Sequence, residues 1–504
     1  MTSATGMRAL YLVTVLWGMA IPWFAAHPPM IDLPQHAGQL ALLKQLLQGE
    51  SHWAYLLQLN LFTPYLIGFG LALPLTFLMP VAAAMKLLLS LAYLAFVIAC
   101  VALRKRLGAD ARLDWLCVVS FFGLAYKWGF FTFLLAAPLG LGFILLAESF
   151  ARVNSLPRGL AVVATGLLLL VSHGLVFLFA CLVAVALLAS CSGGIRRWLV
   201  TLWPFVALGL ACLGYFFARG QAEAVYQIAP TIPAVSWAQG LRHEILYYSF
   251  GNAWTQVFVV ACVTMLATPW LLGLRIDRKR VASWVPLAMV VLVLILVPSF
   301  MLETSVVYQR FALFLFPAYA WAFGGTPVML GEGRSGRKLI RTLALPLVMA
   351  ACWSVLWVHS VRAWQFGKEA AEFDLIAAQL EPGKRGLAMV FDRSSAADGN
   401  WGVYTHYATW YQAEMGGLVD FNFAWVQPQI VRYRPDVRPP VRLDFPWRPQ
   451  AFDWHKHQGG NYRYFFVRHS EPLPANLFRG ADCAPILLHQ RGSWKVFERR
   501  QCPP

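Results

Sequence analysis

The sequence predicts an α-helical polytopic membrane protein with about 11 transmembrane helices, followed by a C-terminal soluble domain of α/β or α+β type. The chain of 504 residues is 59% hydrophobic and 13% charged, with a mean hydropathy of +0.57. That is too apolar for a soluble protein of this length. Its apolar residues form runs of about 20, the length that crosses the hydrocarbon as a helix. After residue 363 these runs stop.

Each predicted span is an apolar run of suitable length. The predicted spans are 8–27, 81–103, 114–132, 134–151, 158–172, 174–191, 198–217, 251–274, 283–301, 310–329 and 342–362. Residues 61–79 are long enough for a twelfth span, but a full crossing there would put the later basic clusters on the opposite side from Arg8. The positive-inside rule therefore favours a re-entrant or interfacial segment.

The basic clusters predict the orientation, and an odd number of spans then puts the two termini on opposite sides. We expect a multi-pass protein of the bacterial inner (plasma) membrane with a cytoplasmic N-terminus. Residues 1–363 form the membrane domain, in which 27–80 are the first outer loop, with interfacial helices, and 218–250 the second. Residues 364–504 form a periplasmic (extracytoplasmic) domain, since they contain strand-like runs and one amphipathic helix.

The charge pattern argues against nucleic acid as a partner. The formal net charge is +17, but the basic residues fall in short clusters between apolar runs, as orientation signals do. Cys483 and Cys502 lie in the polar tail with 18 residues between them. In an oxidising compartment they can form a disulfide, and two free thiols are the alternative.

Tryptophans are frequent in the tail, and two explanations are open. They can bind sugar rings or pack the core of the domain itself. The residues concerned are Trp401, Trp410, Trp425, Trp447 and Trp454.

An acid and an imidazole follow the first apolar run. Asp32 comes after Pro28-Pro29, where its carboxylate can reach a reacting group at the membrane face, or can cap the helix that begins near Pro34. His36 can accept a proton, donate to a phosphate oxygen or ligate a metal; it can also be an ordinary interfacial polar residue. From His36 to Leu47 the leucines recur at helical spacing, the pattern of an interfacial helix.

Cations near the outer ends of helices are the candidates for binding a phosphate headgroup. Lys86 lies one turn into the second span and Arg310 begins a late span. Arginine can bind phosphate with two parallel hydrogen bonds. His173, between two spans, and Lys127, at the end of the third, are weaker candidates. Each of the four can instead be a structural residue near the membrane boundary.

This order of elements resembles the GT-C superfamily of membrane glycosyltransferases. The shared features are an acid in the first outer loop, interfacial helices, a cation early in the second span, a late-span arginine and an outer domain. The resemblance implies a polyprenyl-phosphate-linked sugar donor, membrane lipid around the protein, and an extracytoplasmic glycan, lipid or protein as acceptor. It makes Asp32 the catalytic residue, and it assigns substrate binding to His36, Lys86, His173 and Arg310. Lys127 is a further substrate-binding candidate from its position at the outer end of the third span.

Two departures from the family pattern bear on the chemistry. Asp32 is a single acid where many members have an acidic pair, so a divalent metal ion is left open as a cofactor. Lys86 stands where the family often has arginine. A transporter or flippase of a lipid-linked glycan is the alternative function, and a third is an assembly partner whose tail binds other envelope proteins.

Overall fold

The computed structural model describes residues 4–220, 249, 256–276, 279–301, 304–324, 335–399 and 402–500. Helices dominate this part of the chain. In chain order they are α1 (Ala4–Ala20), α2 (Leu33–Gln48), α3 (Leu66–Leu75), α4 (Val81–Leu107), α5 (Trp115–Ser120), α6 (Leu124–Trp128), α7 (Phe131–Arg152), α8 (Leu156–Ser172), α9 (Gly174–Cys191), α10 (Ile195–Thr201), α11 (Trp203–Gly220), α12 (Gln256–Leu271), α13 (Val281–Leu296), α14 (Leu315–Trp321), α15 (Ser335–Ala377) and α16 (Thr409–Met415).

Strands are short and most of them belong to the tail. They are β1 (Leu57–Leu59), β2 (Arg275–Ile276), β3 (Phe300–Met301), β4 (Thr304–Ser305), β5 (Phe323–Gly324), β6 (Arg385–Val390), β7 (Leu418–Asp420), β8 (Val431–Tyr433), β9 (Tyr464–Arg468), β10 (Ile486–Arg491) and β11 (Trp494–Glu498).

The lengths of the helices agree with a polytopic membrane protein. Among the described residues four helices are long and apolar enough to cross a membrane, and a bent pair, α10 with α11, makes up to five. The shorter apolar helices α8, α12 and α13 coincide with further predicted spans. Helix α3, within the segment predicted to be re-entrant or interfacial, has only 10 residues. The total number of spans stays a prediction.

Two predicted spans have an irregular backbone. Residues 114–132 contain α5 and α6, separated by residues 121–123. Tyr308–Phe314 form a 3-10 helix that leads into α14. Backbone of this kind is tolerated at membrane depth when it is buried in protein, and residues 121–123 and 309–314 are all buried.

The chain forms two compact units, of which the first comprises Met1–Ile21, Ser90–Lys127 and Thr132–His359. Within it α13 packs on α9 and α14, and α8 packs on α9 and α11. The α8–α11 contact depends on two glycines, because a Cβ at Gly159 would lie 2.1 Å from the ring of Trp203 and one at Gly166 would lie 2.5 Å from Leu208. Small residues at helix contacts are typical of membrane proteins.

One buried carboxylate in the first unit is held by two arginines. Glu148 is fully buried, and both Arg106 and Arg152 donate hydrogen bonds to it. A buried charge of this kind is tolerated only when it is paired, so Arg106 and Arg152 have a structural role besides any effect on orientation.

The second unit comprises Pro22–Leu89, Trp128–Phe131 and Ser360–Pro504. Its centre is a five-stranded sheet in the order β10-β11-β9-β6-β7, with the β6–β7 and β6–β9 pairs parallel and the others antiparallel. The strand-like runs of the tail sequence, at 386–392, 462–468 and 494–498, contain the strands β6, β9 and β11. The tail is therefore a mixed α/β structure.

The loop at residues 27–80, predicted to be the first outer loop, packs with the tail inside this unit. Strand β1 pairs with β8, Leu57 opposite Tyr433, and α2 packs on α16. Gly38 permits that helix contact, because a Cβ there would lie 2.5 Å from the side chain of Gln412. Of the predicted second outer loop, residues 221–248 lie outside the described residues.

The tail tryptophans pack the interior of the unit. Trp410, Trp425 and Trp454 are buried, whereas Trp447 is 38% exposed and Trp401 lies outside the described residues. The core-packing explanation therefore holds for the three buried rings. Cys483 is disulfide-bonded, and its predicted partner Cys502 is likewise beyond the described chain.

Candidate active site

Asp32 lies at the N-cap position of α2, as the Asp-Leu-Pro spacing predicts. Its side chain makes no capping hydrogen bond, and the carboxylate is 14% exposed. The backbone N–H of Asp32 donates to the carbonyl of Trp128, at 2.8 Å. The capping explanation for this acid therefore fails.

A glycine allows the Trp128 segment to approach Asp32. Gly129 has φ of +82°, and a Cβ there would lie 2.8 Å from the backbone nitrogen of Leu33 and 3.3 Å from that of Asp32. A residue with a side chain would be strained in this backbone conformation, and its Cβ would clash with the start of α2. The position of the acid thus depends on a tight turn in another segment of the chain.

The tail contributes a histidine beside this carboxylate. His406 Nε2 lies 3.8 Å from Asp32 Oδ1, and the ring is buried, 8% exposed, near Phe421 and Phe423. Burial lowers the pKa of His406 to about 3. The imidazole is therefore neutral at pH 7 and can be a hydrogen-bond donor without adding charge.

Gln35 selects the tautomer of that ring. Its Oε1 accepts a hydrogen bond from Phe423 N (2.9 Å), so its amide nitrogen faces the carbonyl of Phe421 (2.8 Å) and His406 Nδ1 (3.3 Å). Since Nδ1 accepts, the neutral ring carries its proton on Nε2, the atom that faces Asp32.

His36, the other residue predicted in this loop, lies among aromatic rings. Phe69, Phe131 and Phe423 lie within 5.6–6.1 Å of the imidazole, centroid to centroid, and His36 is 5% exposed. The helix predicted from His36 to Leu47 is confirmed, but residues 33–43 are buried all round its axis. The substrate-binding role of His36 stays a prediction.

Lys86 is bound to the start of the same loop. Its ammonium donates to the carbonyls of Ala25 (3.2 Å) and Ala26 (3.0 Å) and lies 5.0 Å from the centre of the Trp23 ring. An ammonium has three N–H donors, so two of them are used within the described chain. The stem of the side chain is buried, with 9% of the residue exposed.

The first outer loop also carries a charged cluster that cannot be seen in the sequence. His27 Nδ1 lies 3.2 Å from the carboxylate of Asp374, Nε2 lies 2.7 Å from Glu414, and the ring stacks on Trp410. Burial by itself lowers the pKa of His27, but the hydrogen bonds to both carboxylates outweigh it and raise the pKa to about 9. His27 is therefore an imidazolium at neutral pH.

The other three predicted residues belong to the first unit. Arg310 is 8% exposed, and its guanidinium donates to the carbonyls of Ser305 and Val306, which fixes its direction. His173 is 2% exposed and meets the ring of Phe133 edge-on at 5.3 Å. Lys127, at the end of α6, is also buried. Their binding roles stay predictions.

The donor set does not fit a metal ion. Among the described residues no three His, Cys, Asp or Glu side chains are grouped as a metal site requires. Asp32 and His406 would supply only two ligands, and a protein site for zinc or calcium needs more. We therefore derive no chemical step through a metal.

The sequence did not point to His406, Gln35 or His27. The partners of His406 and His27 are hundreds of residues away in the chain, and none of the three residues lies in a motif. One signal in the sequence could have pointed to Gln35. Polar residues recur along α2 at Gln35 and Gln39, where a helix that faces lipid would have apolar residues, and both glutamines are buried.

Comparison with known proteins gives likeness at the level of fold. No family model matches the sequence, and no curated protein sequence does. ArnT from Cupriavidus metallidurans, in the apo state, matches with a TM-score of 0.53 and 13% identity over 98% of both chains. The same protein bound to undecaprenyl phosphate gives a TM-score of 0.53 and 11% identity over 98% of both chains.

A second matching protein is much longer than this chain. The arabinofuranosyltransferase AftD from Mycobacteria matches with a TM-score of 0.48 and 15% identity over 98% of this chain. This chain covers 40% of AftD. From the end-to-end match with ArnT, we conclude that this chain shares the fold of ArnT.

Proposed function

We propose that this protein is a membrane glycosyltransferase. It transfers a sugar from a polyprenyl-phosphate-linked donor to an extracytoplasmic glycan, lipid or protein. The end-to-end likeness to ArnT supports this, since one of the matched ArnT structures holds undecaprenyl phosphate. At 13% identity or less the likeness concerns the fold, so the chemistry is argued from this chain's own residues.

One observation carries the proposal. The Asp32 carboxylate lies at the start of a buried helix, makes no capping bond and retains partial exposure. The neutral Nε2–H of His406 faces it at 3.8 Å. A partly exposed carboxylate whose nearby imidazole is neutral is suited to accept a proton from a hydroxyl.

In the proposed reaction the acceptor hydroxyl oxygen attacks the anomeric carbon of the donor. The bond from that carbon to the phosphate oxygen breaks, and polyprenyl phosphate leaves with the bonding electrons. Asp32 takes the hydroxyl proton. Lys86 can bind the departing phosphate with the N–H that Ala25 and Ala26 do not use, and charge developing on the leaving group is what such a cation stabilises. The family resemblance adds Arg310 as the second candidate cation.

The test is the Asp32→Asn variant of the full-length protein in phosphatidylcholine nanodiscs. The donors are a panel of undecaprenyl-phosphate hexoses and pentoses, with extract of the native envelope as the source of acceptor. The measurement is release of undecaprenyl phosphate. We expect the variant to bind the donor and to release undecaprenyl phosphate at least roughly 100-fold more slowly, because general base catalysis contributes a factor of this size.

The matched control is Asp436→Asn, which makes the same change at a carboxylate that is 80% exposed. It should leave release unchanged. Full release by Asp32→Asn would reject the role of this acid. If the unaltered protein releases no undecaprenyl phosphate from any donor but moves the lipid across the bilayer, the flippase alternative replaces our proposal, because a flippase forms no glycosidic bond.

A further inference from the structure

A cavity lined by residues of the first loop and of the tail shares no residue with the candidate active site. Its volume is about 480 Å³, within the range of ligand pockets of roughly 300–1,000 Å³. All of its lining residues belong to the second unit. The ones that bear on a ligand are Trp53, Tyr55, Gln458 and Asn461 together with five cations.

Three of the cations form a row across neighbouring strands. The backbone N–H of Arg463 donates to the carbonyl of Arg385 (2.8 Å), and that of Arg499 donates to the carbonyl of Arg463 (2.9 Å). The three arginines therefore stand side by side at one end of the β6, β9 and β11 strands. Their alignment is set by the sheet register, which holds it in place whether or not a ligand is present.

The cavity carries an excess of positive charge. Its lining contains five cations and no acid. Three of the cations pair with carboxylates of residues outside the lining: Lys384 with Glu381, Arg385 with Asp420 and Arg463 with Glu498. Arg438 and Arg499 have no carboxylate partner within the described chain. A ligand with negative charge would complete this set.

The uncharged part of the lining matches a sugar better than a bare anion. Tyr55 is 66% exposed, and Trp53 is held by a hydrogen bond from its indole N–H to the carbonyl of Gly416. Asn461 donates to Gln458 Oε1, which leaves the Gln458 amide N–H groups and the Asn461 carbonyl for a ligand. Gln458 has φ of +51°, a conformation that non-glycine residues adopt rarely.

We propose that this cavity binds an anionic saccharide, one that carries carboxylate or phosphate groups on its sugar rings. Arginine binds both groups with paired hydrogen bonds, the amides suit hydroxyls, and the exposed ring of Tyr55 suits the apolar face of a sugar ring. The inference goes beyond the proposed transfer reaction and does not depend on Asp32.

The test is calorimetric binding to the full-length protein in phosphatidylcholine nanodiscs, which avoids sugar-based detergents. The carboxylate probe is tetragalacturonate, and its fully methyl-esterified form has the same rings without the charge. The phosphate probe is glucose 1-phosphate, with inorganic phosphate as its sugar-free counterpart. We expect each charged saccharide to bind about tenfold or more tightly than its counterpart, as one charge-assisted contact provides.

Two arginine variants locate the site. Arg438→Glu should weaken tetragalacturonate binding about tenfold or more. Arg479→Glu makes the same charge change at an exposed tail position outside the lining, and it should leave binding unchanged. Tyr55→Ala, at an exposed side chain, is a second variant that leaves the charges in place and should also weaken binding.

Several results would overturn the proposal. If the methyl ester binds as tightly as tetragalacturonate, or inorganic phosphate as tightly as glucose 1-phosphate, the cavity does not recognise a charged sugar. Equal loss in both arginine variants would indicate a general charge effect. Binding of phosphatidylglycerol vesicles without saccharide binding would assign the surface to lipid headgroups. Asp32→Asn should retain saccharide binding, so failure of the transferase proposal would be seen separately.

Discussion

The His27 cluster gives a stability prediction whose sign and size follow from the structure. His27→Gln removes the imidazolium that lies between Asp374 and Glu414. Because the pKa of His27 is raised to about 9, the folded state binds a proton that the unfolded chain releases near pH 6.5. The contribution to stability is therefore complete below about pH 6.5, declines as the pH rises, and is lost above about pH 9.

The size of the effect follows from the same pKa difference. A rise from 6.5 to about 9 corresponds to about 3 kcal/mol. Glu414 is 40% exposed, so water screens part of its attraction and we expect about 2 kcal/mol. For a unit of about 200 residues this lowers the Tm of the variant by roughly 4–8 °C at about pH 6.

The assay is thermal unfolding of the full-length protein in nanodiscs, followed by tryptophan fluorescence at pH values on both sides of this window. The difference in Tm between the unaltered protein and His27→Gln should be largest at acid to neutral pH and small above about pH 9. The control is His455→Gln, at an exposed histidine. A His27→Gln difference that is the same at every pH would refute the argument.

Two further predictions concern the candidate site. His406→Gln should make the stability of the protein less sensitive to acid. The pKa of His406 is lowered to about 3, so the unfolded chain binds the proton first, which costs about 1.4 kcal/mol of stability for each pH unit below about 6.5. A difference in Tm between the variant and the unaltered protein that stays the same between about pH 6.5 and 4.5 would contradict this. Lys86→Met should weaken undecaprenyl phosphate binding about tenfold, and Lys86→Arg should restore part of it. Equal affinity of Lys86→Met and the unaltered protein would remove Lys86 from the donor site.

The helical character of the membrane domain could be read from the sequence because length and hydropathy are properties of a single segment. Helices α4, α7, α8 and α9 match predicted spans closely. The break between α5 and α6 could not be predicted in this way. All three residues between these helices are buried, so the break is set by packing against other segments.

The candidate site was only partly predictable for a related reason. The Asp-Leu-Pro pattern placed Asp32 correctly at the start of a helix, since a proline in the first turn is a local signal. Its neighbour His406 lies in the tail, where Gln35 donates hydrogen bonds to His406 Nδ1 and to the carbonyl of Phe421. No pattern within one segment contains that information.

The buried polar side chains of α2 explain why the first loop and the tail form one unit. Gln35 and Gln39 are buried and bind backbone groups of Phe421, Phe423 and Val431 in the tail. A buried amide without such partners costs roughly 1–3 kcal/mol, so each residue stabilises the loop only while the tail is in contact with it. The position of the Asp32 carboxylate therefore depends on the tail, which makes the tail part of the candidate active site as well as a separate binding surface.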